Sequence, residues 1–568
     1  MLLKNINLPN DIKKLSPAGL RELSEEVRAR IIEVTLQNGG HIGASLGAVE
    51  LIVALLHVFD VDRDKIIFDV GHQAYAYKIL TGRNDAFDKL RSFGGISGFP
   101  MPSESKYDHF VGGHAGNAVS AACGYAKARA LSGDDFQVIS VVGDGVIVNG
   151  ETAEGLNLLS SCGKQIVVIN DNTYSISEGV GSIPDYLAEL RKSSFDGKIK
   201  EGNDSPFSIY QADYIGAVDG HDLVKLTEAL SLAKNTPRSV IVHVVTSKGK
   251  GYALAESNPL KLHGIAPRGE QTGEGFGAIF GEELIKLREK DDKVVAIAAA
   301  MVIGTGLSRF VEKYPESFID VGIAESTAVT VAASLARAGY KPYVAIYSTF
   351  LQRAYDQLLY DVALDGLDVT FLLDRAGIVG EDGESHQGIY DLCLLSSVPN
   401  IDVASPSTYE ELRLMMQWSY HSHGVKVIRY PKTGSSVNVQ TDNEFPCWKV
   451  LFDGKDYLIA HGAAMIEVAI EVRNLLNSKG KEFGVINARF LAPIDQALLA
   501  NLSGAKLYVL EDVIYSGSLS EHLAALGYQV KPFTLPNGYV TFGRPSILRK
   551  HYGIDAESVA EAICNETR

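Results

Sequence analysis

The sequence has no cysteines at metal-binding or redox spacing. Cys123, Cys162, Cys393, Cys447 and Cys564 lie far apart, with no Cys-x-x-Cys among them. That excludes a zinc ribbon or a catalytic dithiol and leaves five reduced packing residues. Long apolar runs are missing too: none reaches the roughly 18 residues needed to span a bilayer, and the opening MLLKNINLPNDIKKLSPAGL has no apolar segment of signal-peptide length. A soluble, cytoplasmic protein without a membrane partner is expected. Positive charge is in deficit, with a formal net charge of −16. Nucleic acids and anionic membranes reward basic patches and counterion release, so neither is an expected partner. A small anionic substrate held by a few arginines stays compatible. Low-complexity tracts and short-period repeats are likewise absent, and 21% charged with 46% apolar residues is a globular balance. At roughly 100–200 residues per domain, 568 residues make about three or four packed domains.

What is present is an alternation of strands and helices, the pattern of parallel sheets covered on both faces. KIIFDV, FQVISVVG, QIVVIN and SVIVHVV read as strands, with AVELIVALLHVF and AVSAACGYAKARAL as helices between them. The glycine-rich IAPRGEQTGEGFGAIFG breaks the rhythm and marks a first boundary. A second unit follows with VVAIAAA, FIDVG, PYVAIYS and VTFLLDRAG, separated by ESTAVTVAASLARAG and RAYDQLLYDVAL, and ends at the polar YPKTGSSVNVQTDNEFP. A smaller unit holds DYLIAHG, a helix from Ala464, EFGVINARF and AKLYVLEDV. The expected fold is therefore α/β, three open and mainly parallel-sheet domains, over residues 1–270, 280–435 and 450–568.

Two strands end in oxygen ligands: VVGDG in Asp144 and QIVVINDN in Asn172. Each alone is an ordinary turn. The segment between them has room for one crossover helix, ETAEGLNLLSSCG, so the strands can be neighbours with their carboxyl ends together, where open α/β sheets bind ligands. A carboxylate and an amide oxygen suit a hard cation such as Mg²⁺, which commonly bridges to phosphate oxygens. Gly143 and Gly145 let the backbone approach a diphosphate, with N–H donors at the following helix start.

GDG followed by a distal Asn resembles the magnesium–diphosphate motif of thiamine-diphosphate enzymes. NGGHIGASLGAVELIVALLHVFD, DVGHQAYAYKILTGR, SGFPMPSESKYD, DVGIAES, AIYSTFLQRAYDQ, DRAGIVGEDGESHQGIYDL and NARFLAPID resemble the 1-deoxy-D-xylulose-5-phosphate synthase family, a transketolase-like branch, across nearly the whole chain. The resemblance implies a transferase with a diphosphate-binding domain, a pyrimidine-binding domain and a transketolase carboxy-terminal domain. Its cofactors would be thiamine diphosphate and Mg²⁺, its substrates pyruvate and D-glyceraldehyde 3-phosphate, and its assembly a homodimer. The product, 1-deoxy-D-xylulose 5-phosphate, would feed isoprenoid, thiamine and pyridoxal synthesis. Carried over residue by residue, Asp144, Asn172 and the Tyr174 carbonyl would hold the metal. His72, Gly113, His114, Ala115, Gly145, Val146, Asn172, Tyr252 and Phe350 would contact the cofactor. Glu325 would hydrogen-bond its aminopyrimidine. His41, His386 and Asp382 would serve the reacting carbonyls, where groups that exchange protons near neutral pH are needed. Tyr347, Arg353, His263, Arg375 and Arg489 would line the substrate side, the last two as an arginine clamp on phosphate.

The sequence departs from the family pattern on the cofactor side. GHAGNA stands where GHSSTS is usual, Glu325-Ser326-Thr327 where Glu-Gln-His is usual, VIVNG follows GDG, and the segment between Tyr186 and ADYIGAVDGHD is short. Two alternatives to an active synthase follow from these changes: a related carboligase with another donor or acceptor, and a catalytically silent regulatory paralogue.

Overall fold

The computed structural model describes residues 2–6, 8–174, 179–269 and 275–566; part of the glycine-rich boundary, 270–274, lies outside them. The chain divides into two compact units, Met1–Gln271 and Thr272–Arg568.

The first unit is built on five parallel strands, β1 (Lys65–Phe68), β2 (Val138–Gly143), β3 (Ile166–Asp171), β4 (Asp213–Asp219) and β5 (Val240–Val245), in the order β1-β2-β3-β5-β4. Side chains alternate across a pleat, and both faces of this sheet are covered. Ile139 and Val141 enter one core with Ile31 and Leu55, while Val138 and Val142 enter another with Ala122, Ala126 and Leu156. That double burial is why VISVV is apolar on both sides of its single buried serine, Ser140. Each fully buried Val or Ile contributes about 1.5–3 kcal/mol relative to exposure.

The second unit carries β6 (Val294–Ala298), β7 (Phe318–Asp320), β8 (Lys341–Tyr347), β9 (Thr370–Asp374), β10 (Ile401–Ala404), β11 (Val425–Arg429), β12 (Lys449–Phe452), β13 (Asp456–Ala460), β14 (Phe483–Asn487), β15 (Phe490–Ala492), β16 (Leu507–Ile514) and β17 (Val530–Leu535). They form a seven-stranded sheet, β15-β10-β11-β9-β8-β6-β7, and a five-stranded one, β12-β14-β13-β16-β17. Pairing is parallel except for β15 on β10 and β12 on β14. The expected α/β class of three mainly parallel sheets holds. One core runs through both sheets of this unit: Ile297, Ile346 and Phe371 share a cluster with Ile459, Ile486 and Val509.

The sequence reads EFGVINARF as one strand, and the structure divides it. Phe483–Asn487 pairs inside the five-stranded sheet, whereas Phe490–Ala492 crosses over and pairs with Val403 and Ala404 at the edge of the seven-stranded one. Strands β4, β10, β11, β12 and β17 are additions to the expected set. In β11 the apolar run is interrupted by Lys426 and Arg429, both buried but neutralised, Lys426 by Asp368 and Arg429 by Asp391 (Nε to Oδ2, 2.8 Å).

Candidate active site

Strands β2 and β3 are neighbours, with Gly143 opposite Asn170, so the GDG and NDN turns leave the sheet side by side. The helix Gly150–Cys162 crosses between them, its amino terminus capped by Asn149, whose Oδ1 accepts from the Glu151 N–H at 3.1 Å. Burial pushes the Asp144 carboxyl up to about 6; the negative charge of Asp171 adds to this, and the backbone N–H groups of Asn172, Asp144 and Gly145 oppose it. With Gly143 opposite Asn170, the two expected ligands follow at neighbouring strand ends. Asn172 Oδ1 accepts from the Tyr174 N–H at 3.1 Å, closing a turn that brings Tyr174 to the same edge. A partly buried carboxylate beside an amide oxygen is the donor set of a hard divalent cation, and the residues present fit one. Lys248 is the nearby positive charge; burial pulls its ammonium down to about 8, against the charge of Asp144.

Three of the expected histidines cluster in this unit. The His41, His72 and His263 rings lie 5.2–5.6 Å apart by centroid, with Phe99 at 5.5 Å from His41. Backbone pairing enforces this. Gly40 and Ile265 exchange N–H···O bonds of 2.9 Å, and the Gly43 N–H donates to Leu262 O at 3.0 Å, which lays the His263 segment along the GGHIG turn. Ser45 Oγ donates to His72 O at 2.9 Å.

The loop Gly113-His114-Ala115-Gly116 is held by a residue that the sequence reading passes over, Asp69. Its carboxylate accepts from the Gly116 N–H at 2.9 and 3.0 Å and from the Ala118 N–H at 3.0 Å, and the Gly113 N–H donates to Val70 O at 2.7 Å. These bonds use main-chain donors, so the loop keeps its anchorage with GHAGNA in place of a hydroxyl-rich sequence. Gly116 has φ +98°, a conformation natural to glycine. Tyr252 packs against the core of the first unit, just after Lys248. A further buried pair supports the NDN turn: Asp171 Oδ2 meets His243 Nε2 at 2.8 Å and Arg191 Nη1 at 2.6 Å, while its Oδ1 accepts from the Thr173 N–H at 3.2 Å. The apolar context of SVIVHVV concealed His243.

In the second unit Glu325 opens the helix Glu325–Arg337, where a carboxylate favours the helix dipole. It is 6% exposed, and burial raises its carboxyl above the ordinary glutamate range, against its own backbone N–H and the charge of Arg353. Strands β8 and β9 end beside each other, Tyr347 opposite Asp374. Tyr347 and Phe350 stack at 5.7 Å and 9°, and Phe350 meets the His386 ring edge-on at 5.7 Å. The Arg375 guanidinium lies 3.9 Å over the Tyr347 ring, pairs with Asp374 at 2.8 Å and donates to Gly304 O at 2.9 Å. Asp382 is close enough for its charge to act on Tyr347. Tyr347, Phe350, Arg375, Asp382 and His386 therefore form one group, and Arg353 acts on Glu325.

Arg489 does not fit the clamp expected of it. It is fully buried, and Nε donates to Cys447 O (3.1 Å), Nη1 to Asp442 O and Oδ1 (3.2 and 2.9 Å) and Nη2 to Glu444 O (3.1 Å). Its donors fasten the polar linker to β15, a structural task. The positive charge that accompanies Arg375 is Lys432, which acts on the same Asp374 carboxylate and lies 3.9 Å from Glu381. The Arg489→Ala variant is expected to lose about 2–4 kcal/mol of stability, as for other broken buried networks, with the acceptor KM unchanged. Urea unfolding and steady-state kinetics check this; a selective rise in acceptor KM at wild-type stability would restore Arg489 to the substrate site.

Parallel sheets with such groups at their strand ends define the class as transketolase-like, and family models agree. The model described as transketolase, pyrimidine binding domain, matches residues 275–435, and that of the transketolase C-terminal domain matches 447–559. The model described as 1-deoxy-D-xylulose-5-phosphate synthase matches 3–208 and 202–246, two pieces that meet in the stretch where the sequence is short. The 1-deoxy-D-xylulose-5-phosphate synthase of Clostridium perfringens (strain ATCC 13124) is 42% identical over 614 positions, with 99% of each chain covered. That of Clostridium acetobutylicum is 41% identical over 612 with the same coverage, and that of Dictyoglomus turgidum 42% over 610, covering 99% of this chain and 98% of its own. The chain belongs to the 1-deoxy-D-xylulose-5-phosphate synthase family. These alignments are longer than the chain's 568 residues, so the relatives carry segments that it lacks. Among solved structures, the transketolase of Campylobacter jejuni aligns at 18% identity and TM-score 0.47 over 96% of this chain and 99% of its own.

Proposed function

We propose that the chain performs its family's reaction, condensing pyruvate with D-glyceraldehyde 3-phosphate to 1-deoxy-D-xylulose 5-phosphate and CO₂, with thiamine diphosphate and Mg²⁺ as cofactors. Full-length identity of 40–42% to synthases supports the reaction, and the observation that carries the residue assignment is a buried Glu325 with a raised carboxyl at the start of its helix. When bound, thiamine diphosphate supplies the carbon nucleophile and the electron sink for decarboxylation.

In this reading Asp144 Oδ, Asn172 Oδ1 and the Tyr174 carbonyl hold the cation. The N–H groups of Gly145 and Val146, with His72 and the Gly113–Ala115 loop, hold the diphosphate. Glu325 shares a proton with the aminopyrimidine ring nitrogen, and Phe350 provides a flat face for the ring. His41 and His263 donate to the developing alkoxide oxygen of the acceptor, and His386, oriented by the Ser385 hydroxyl at 3.0 Å, exchanges a proton at that acceptor carbonyl with Asp382 beside it. Arg375, Lys432 and Tyr347 bind the acceptor phosphate. A homodimer in the cytoplasm completes the proposal. Among the described residues no helix is long and apolar enough to cross a membrane, and Tyr360 and Leu364, 60% and 76% exposed, offer apolar surface for self-association.

Incubating the purified protein with both cofactors and both substrates, followed by NMR and mass spectrometry, is expected to yield 1-deoxy-D-xylulose 5-phosphate and CO₂ only when cofactor and acceptor are both present. A protein that binds the cofactor yet makes no such product would overturn the assignment.

A further inference from the structure

The segment that follows β9, from Arg375 to Tyr390, carries Asp382 and His386, and its base is closed by a two-way bridge in which the N–H groups of Gly377 and Gly388 each donate to the other's carbonyl, at 2.7 and 2.9 Å. Its ties to the seven-stranded sheet include the Ala376 N–H to Tyr430 O at 2.9 Å and Thr349 Oγ1 to Ser385 O at 2.9 Å. Much of its apolar packing is against the carboxy-terminal part of the chain. Ile378 and Ile389 are buried in a small cluster completed by Ile514, Leu535, Val540, Leu548 and Ile554, all from β16 onward.

Two polar residues fix the register of that contact. Gln387, 1% exposed, accepts at Oε1 from the N–H groups of Val379 (2.7 Å) and Gly380 (3.3 Å) and donates through Nε2 to Thr541 O (2.9 Å). It thereby spans the loop from one arm to the other and hooks it to the segment after β17. Asp512, on β16, accepts from the Ile378 N–H at 3.3 Å and lies so close to Gly377 that a Cβ there would sit 2.3 Å from Oδ2. Gly377 has φ +78°, so glycine is required twice over, by backbone and by space. A loop whose apolar side chains are buried by the chain from β16 onward, and whose Gln387 amide and Ile378 N–H bond to that segment, takes its position from it.

We infer that the carboxy-terminal segment from β16 onward is the positioning element for the acceptor-binding loop, with Gln387 and Asp512 as its positioning residues. The inference rests on the reading that Arg375, two residues before Gly377, binds the acceptor phosphate. The residues that grip the cofactor metal belong to other elements, so the effect of loosening the loop falls on the acceptor.

The test is a set of four variants in the full-length holoenzyme: Gln387→Met, which keeps the volume and removes both sets of hydrogen bonds, Asp512→Ala, Asp512→Asn as the conservative replacement, and Arg375→Ala. Displacements of about 1 Å cost on the order of 10²-fold in positioned reactions. Gln387→Met and Asp512→Ala are expected to raise the KM for glyceraldehyde 3-phosphate at least about tenfold, with the pyruvate KM and the thiamine-diphosphate titration by tryptophan fluorescence unchanged. Asp512→Asn, which retains an oxygen acceptor for the Ile378 N–H, is expected to stay near wild type. Equal changes in both substrate KM values, or a fall in kcat alone, would overturn the positioning role. An Arg375→Ala enzyme with an unaltered acceptor KM would instead show that the phosphate reading failed. If Gln387→Met does not fold, the Asp512 pair decides.

Discussion

Glu325→Gln is expected to give a folded protein that takes up thiamine diphosphate and turns over about a thousandfold more slowly, within the range that positioned proton transfer contributes. The substitution is isosteric and keeps a hydrogen-bonding oxygen, but the amide cannot share a proton with a ring nitrogen. Its effect on stability has the opposite sign. The Glu325 carboxyl is raised by burial, so the folded chain holds the proton more tightly than the unfolded one. Its contribution to stability is present below the ordinary glutamate range and is lost as pH rises through the raised folded value. The cofactor-free Gln variant should therefore be at least as stable as the parent at pH 7, with the advantage shrinking as pH falls through the carboxyl range. Calorimetry across pH and steady-state turnover measure the two effects. Turnover within tenfold of wild type would remove Glu325 from the chemistry.

Stripping the metal is the second large effect. A chelator is expected to abolish activity and the thermal stabilisation given by thiamine diphosphate, since a ligand that binds only the folded state must raise its stability, and Mg²⁺ readdition is expected to restore both. Asp144→Ala should reproduce the chelated state. Loss of residues that merely support a metal ligand costs about 10–100-fold in affinity, so loss of a ligand itself should weaken Mg²⁺ by about 100-fold or more. Isothermal titration of Mg²⁺ in the presence of thiamine diphosphate reads this directly, and an unchanged affinity in Asp144→Ala would place the cation elsewhere. Because burial holds the Asp144 carboxyl up near 6, removing it relieves an unfavourable charge, and the metal-free variant should remain folded. That separates lost binding from lost structure.

The strand ends explain why so much was legible. A doubly covered parallel sheet needs near-continuous apolar strands, and these stop where the backbone must turn. Asp144, Asn172 and Arg375 therefore stand out at the boundary between an apolar run and a turn. Residues inside runs gave no such signal. His243 and Asp171 form a buried pair within or at the end of apolar strands, and Asp69 anchors the GHAGNA loop through main-chain donors that no sequence pattern displays. The surroundings of Arg489 were hidden for a related reason. An arginine after a strand suits an anion site and a carbonyl-filled pocket equally, and the choice depends on the crossing of β15 to a second sheet.

The sequence by itself determined the α/β class, the three parallel sheets, the family and the chemistry of the cofactor, because each depends on periodicity or on short segments whose residues act together locally. The tertiary structure alone decided which groups meet: the three-histidine cluster, the main-chain partners of Arg489, and the support of the Arg375–Tyr390 loop by Gln387 and Asp512. These depend on contacts between residues distant in the chain, and such contacts are fixed by how the sheets pack, which is a property of the whole core and of no single segment.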